Sequence, residues 1–132
     1  MILRIISQIF ASAFGAIIGA LIVQLATKIV AKYKPPYDMA YKATFLGYLS
    51  TVVIIFVGTF GVEFNELSIF SRLAMIIAIP LVEAVIYTHL IESPEKQPLG
   101  FGDACMVSLI HFFLIFVVII ALVSFLSSLS SS

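Results

Sequence analysis

The sequence has no tryptophan, a single cysteine, and few charges: seven Lys plus Arg and seven Asp plus Glu among 132 residues, or 11%. Each shortage excludes something. The lone Cys105 rules out an internal disulfide and any CxxC redox pair, which argues against a four-helix thiol oxidoreductase. The basic and acidic residues cancel and form no basic stripe, so no nucleic-acid partner is expected. His89, His111, Glu83 and Cys105 are chemically suited to metals, yet no HxxxH, ExxH or CxxC spacing occurs, so no metal, haem or other cofactor is expected. Catalytic groupings are equally sparse. Asp103, Ser108 and His111 are spread over two turns of one helix, and a helical serine tends to bond back to its own backbone. The chain is therefore expected not to be an enzyme. Asn65 lacks the following Ser or Thr of a glycosylation site.

What the chain has instead is long apolar runs. The residues are 62% hydrophobic, against about half in ordinary soluble domains. Four stretches carry them: Ile5–Thr27, Ala43–Val62, Leu73–Leu90 and Ala104–Leu126. The first, second and fourth contain no charged residue, and the third contains only Glu83. A hydrocarbon core about 30 Å thick takes roughly 20 helical residues to cross. Four crossings use nearly the whole chain. The expected fold is all-α: a polytopic integral membrane protein with a four-transmembrane-helix bundle, in one domain spanning residues 1–132. Its helices fall at about 5–29, 43–62, 71–90 and 104–126, with loops at 30–42, 63–70 and 91–103. Lys42-Ala43-Thr44-Phe45-Leu46-Gly47 aligns with Asp103-Ala104-Cys105-Met106-Val107-Ser108, which suggests two parallel helical hairpins.

Loop charge suggests an orientation. Loops 1 and 3 carry Lys28, Lys32, Lys34, Lys42 and Lys96, whereas the other side carries only Arg4 and Arg72. The positive-inside rule then places loops 1 and 3 in the cytoplasm (or a matrix) and both termini opposite. Ala11-Ser12-Ala13 mimics a signal-peptidase site. The apolar stretch before it, Ile5–Phe10, is shorter than the usual 7–15 residues, and apolar residues continue beyond, so an uncleaved first helix is expected.

The helix faces carry two kinds of signal. Ala11, Gly15 and Gly19 recur every four residues in the first helix, and Ala74 and Ala78 share a face of the third. Small residues in a row let backbones approach closely, replacing the hydrophobic force that lipid cannot supply between helices. These five are the expected partner-binding residues. The second signal is polar. A carboxylate at mid-membrane depth costs about 2.5–3.5 kcal/mol on insertion scales unless paired, hydrated or protonated. Glu83 sits seven residues before the third helix ends, and His111 seven residues after the fourth begins. In antiparallel neighbours both lie about 10 Å below the same surface. Gln24 and Tyr48 fall near that depth. Gln24, Tyr48, Glu83 and His111 are therefore expected to form an intramembrane polar cluster.

The expected partners are membrane lipids and other integral membrane subunits, or a second copy of the chain. Small loops, small-residue stripes and one buried acid favour an accessory subunit or assembly factor of a larger membrane complex. The alternative is a small homo-oligomeric transporter or channel using a Glu/His pair. In size and helix count the chain is similar to the small multidrug resistance transporters, dimers built around a membrane carboxylate. Their acid lies in the first helix, however. Here the first helix has none, and no tryptophan is present for a cation-binding aromatic site, so that family is not assigned. A lipid-handling role through Lys32 and Lys34 is a third possibility, although lysines at a helix end follow from topology alone.

Overall fold

The computed structural model describes residues 2–60 and 66–131. Among these residues there are four α-helices: α1 (Ile2–Ala31), α2 (Tyr37–Gly58), α3 (Ile69–Leu90) and α4 (Phe101–Ser131). All four are long and apolar enough to cross a membrane. They form a closed ring in which α1 packs on α2 and α4, and α3 packs on α2 and α4.

Most helix ends differ from the apolar boundaries by several residues, and backbone chemistry explains why. Hydropathy marks the residues that tolerate lipid, but a helix continues as long as its N–H to C=O ladder is unbroken. α1 stops where Lys32 takes a left-handed φ of 67°, ahead of Pro35 and Pro36. α2 then begins directly after Pro36, six residues before the apolar run, with Asp38 in its first turn. α4 likewise extends through the terminal serines to Ser131. α3 is capped by Ser68, whose hydroxyl accepts from the Ser71 N–H at 3.2 Å. Residues 61–65 include Val62, Glu63 and Asn65, and therefore the expected end of the second helix and part of loop 2. They lie outside the described residues.

Loop 3 is folded as a small plug. The Leu99 N–H donates to the Ile91 carbonyl at 3.0 Å, and a lone bridge joins Glu92 to Pro98. This buries Ile91 and Leu99 over the end of the bundle. Tyr33 of loop 1 stands near Asp103. Burial pushes its phenol above the ordinary value of 10.0, and the Asp103 carboxylate adds to the rise.

The packing is inside-out compared with a soluble domain. The interior is made largely of small side chains, Ala16, Ala20, Ala26, Ala40, Ala43, Ala84 and Ala104, while Phe10, Phe14, Phe70, Phe113 and Phe116 are exposed. It is also uneven along the bundle. In α2 and α4 the buried residues are Ala40, Ala43, Thr44 and Gly47, and Ala104, Val107, Ser108 and His111. These all belong to the half next to loops 1 and 3. At the other end every residue of Ile2–Ala11 in α1 and of Phe116–Ser131 in α4 is exposed.

Candidate functional site: a buried Glu–His–Tyr cluster

Where the packed half meets the open half, α2, α3 and α4 bring four polar side chains together. Glu83 of α3 and His111 of α4 are both completely buried, with Glu83 Oε1 2.6 Å from His111 Nδ1. Tyr87, one turn after Glu83 on the same face of α3, is also fully buried. Its hydroxyl donates to Glu83 Oε1 and lies 3.0 Å from His111 Nδ1. From α2, the Tyr48 hydroxyl reaches His111 Nε2 at 2.9 Å, and the two rings stack with centroids 5.5 Å apart. Both imidazole nitrogens are thus engaged, Nδ1 by α3 and Nε2 by α2. Glu83 Oε2 is the exception, being buried with no hydrogen-bond partner among the described residues.

Local sequence explains the placement. Tyr48 fits because α1 presents Gly15 and Gly19. An added Cβ at Gly15 would touch the Tyr48 ring at 3.4 Å, and one at Gly19 would collide with the Tyr48 hydroxyl and come within 2.7 Å of Thr44 Cγ2. Gly47 of α2 makes similar room for Glu83, whose Cγ would lie 3.1 Å from an added Cβ. Ser108, one turn before His111, donates to the Pro80 carbonyl at 3.2 Å and ties α4 to α3 just beside the cluster.

Of the four residues expected to share a level, Tyr48, Glu83 and His111 are joined by these contacts. Gln24 takes a different partner. Its Nε2 donates to the Pro35 carbonyl at 3.0 Å and so anchors loop 1 to α1. Tyr87 occupies the fourth place in the cluster. Its signal was the i, i+4 spacing from Glu83, but a tyrosine near a helix end also reads as an interfacial aromatic. Among the small-residue positions, Gly15 and Gly19 receive Tyr48 from within the same chain. Ala11 and Ala74 are exposed and Ala78 is half-buried. His89 is exposed at the end of α3, where Nδ1 donates to the Val85 carbonyl at 2.8 Å. Among the described residues, no group of three or more His, Cys, Asp or Glu side chains is arranged to hold a metal ion.

No family model, curated protein or solved structure matches this chain. The functional reading therefore rests on geometry. Chemically, the cluster can hold charge and protons in a water-poor interior, and it can lock three helices together. It offers no nucleophile paired with a base and an open substrate cavity, as covalent catalysis would need.

Proposed function

We propose that this chain is a small multi-pass membrane subunit that works by packing against other integral membrane proteins, as an accessory or assembly component of a larger complex. The bilayer reading is supported by the four long apolar helices and by large apolar side chains facing outward around an alanine-rich interior. The subunit reading is carried by one observation, the bare outer ends of α1 and α4. From Phe116 to Ser131 α4 has no buried residue on any side, and Ile2–Ala11 of α1 is equally bare. Lipid satisfies outward faces, but at this end α1 and α4, with 30 and 31 residues, run past the 22-residue α2 and α3. Helices of another protein would fill the space beside those ends, with Ala11 and Ala74 as close-approach positions. Glu83 already has a basic neighbour in His111, so the interaction we propose is apolar and steric rather than ionic.

The test is native mass spectrometry after mild extraction from the protein's own host membrane. The expected result is a mass well above any small multiple of this chain, containing other membrane proteins. A chain that stays alone and folded through several detergents overturns the proposal. A clean homo-oligomer would overturn it in favour of a transporter or channel.

A further inference from the structure

On the exposed side of the α1–α2 seam, the first two tyrosines of α2 are held in an uncommon way. Interfacial tyrosines ordinarily keep their hydroxyls among lipid headgroups. Here both hydroxyls turn onto the backbone of α1. Tyr37 donates to the Ile17 carbonyl at 2.8 Å, and Tyr41 to the Ala13 carbonyl at 2.9 Å. A helical carbonyl has a second lone pair free for such a bond. The rings are thereby fixed across the seam with centroids 6.3 Å apart, and Phe45 stacks on Tyr41 at 6.1 Å.

These rings border a groove of about 400 Å³ lined by Ile17, Tyr37, Asp38, Tyr41 and Lys42. Its charges are one acid and one base. Asp38 and Lys42 stand one helical turn apart on α2, so they share a face. Both are exposed, and among the described residues neither side chain has an ion pair or a hydrogen bond. From Ile17 toward the start of α1, Phe14 and Phe10 follow on the same face at three and seven residues, and both are exposed. The groove therefore pairs a two-charge head with an apolar track.

That pattern fits an amphiphile bearing both signs of charge at one end. Lys42 suits a phosphate. Asp38 suits a cationic ammonium, which the neighbouring tyrosine rings also attract. A headgroup with negative charge alone would satisfy Lys42 but meet the Asp38 carboxylate. Lys28, Lys32 and Lys34 do not line the groove, so they draw anionic lipid to the surface without selecting for this position.

We propose that this groove binds one phospholipid with a zwitterionic headgroup. Its phosphate sits on Lys42, its ammonium at Asp38 and the tyrosine rings, and an acyl chain along Ile17, Phe14 and Phe10. Such binding rests on the bilayer reading of the four helices and is independent of the subunit reading.

The experiment takes the full chain in mild detergent, freed of lipid, and adds phosphatidylcholine and phosphatidylglycerol with identical acyl chains. Native mass spectrometry counts the lipids retained. The expected result is one phosphatidylcholine per chain, preferred about fivefold, the size of one exposed charge contact. Asp38→Asn is expected to abolish the preference and Lys42→Gln to lose both lipids, while Lys34→Gln, outside the groove, changes neither. Asp38 and Lys42 are exposed, so these variants should fold, which far-UV circular dichroism checks. Equal or stronger retention of phosphatidylglycerol by the wild type, no retained lipid, or an unchanged preference in Asp38→Asn overturns the proposal. Failure of the bilayer reading shows separately, as release of the chain from its host membrane by alkaline carbonate.

Discussion

Gly19→Ala is the most informative single change, because it sets three opposing terms against each other at one point. The new Cβ would collide with the Tyr48 hydroxyl and sit 2.7 Å from Thr44 Cγ2. Thr44 is fully buried and hydrogen-bonded to the Ala40 carbonyl at 2.7 Å, so it cannot turn aside. Tyr48 can move only by leaving His111 Nε2. Overpacking of this kind costs about 1–3 kcal/mol. The lost interhelical hydrogen bond adds about 0.6 kcal/mol, the average measured between membrane helices. Alanine's higher helix propensity offsets about 1 kcal/mol. The net is a destabilisation of roughly 0.6–2.6 kcal/mol. Gly15→Ala is the internal control. Its Cβ meets the Tyr48 ring at an ordinary 3.4 Å, so the helix term dominates and stability stays equal or rises. Cys105, the sole cysteine and partly buried, supplies the assay: thermal unfolding in mild detergent read by a thiol-reactive dye. Gly19→Ala is expected to melt several degrees below wild type, and Tyr48→Phe in that background to recover part of the loss. Equal melting of Gly19→Ala, Gly15→Ala and wild type would refute the notch.

His111→Leu strips Glu83 of its ring partner and is expected to cost about 3–5 kcal/mol, whereas the double change with Glu83→Leu recovers much of that, since two apolar groups replace an ion-pairing site. The same dye assay run as a double-mutant cycle measures the difference. Tyr87→Phe removes one donor from Glu83 Oε1, a loss of about 1.5–3 kcal/mol if the acceptor is charged and about 0.5–1.5 kcal/mol if it is neutral. Chemical denaturation in detergent distinguishes the two ranges. At the loop end, the raised Tyr33 phenol contributes stability that is complete below its unfolded value and lost as pH climbs through its folded one. Asp103→Asn removes the second cause of that rise, so the alkaline fall in melting temperature should be shallower than in wild type.

How much of this was legible before the structure depends on which force set each feature. The four helices were legible because long, nearly charge-free apolar runs write themselves into composition, and all four are long and apolar enough to cross a membrane. Counting residues from the helix ends put Tyr48, Glu83 and His111 at one level, and these three side chains are in contact. What counting cannot supply is direction around the helix. Gln24 shares the depth but meets the Pro35 carbonyl in the extended turn of loop 1. The Gly15–Gly19 row announced a close approach without saying what approaches, and the answer, one tyrosine from α2, depends on the relative rotation of two helices. The start of α2 at Tyr37 was hidden for another reason: a helical turn can be polar where it leaves the lipid.

The unequal helix lengths have a consequence for the membrane itself. α2 and α3 are each 22 residues, a rise of about 33 Å, and they stand side by side. The other adjacent pair, α1 and α4, has 30 and 31 residues and rises about 45 Å. In a bilayer the α1–α4 flank would carry more helix than the hydrocarbon takes up, since its apolar runs, Ile5–Thr27 and Ala104–Leu126, are 23 residues each and α4 continues into serines. The long flank must lean, thicken the lipid beside it or stand clear of it, each at a fraction of a kcal/mol per Å.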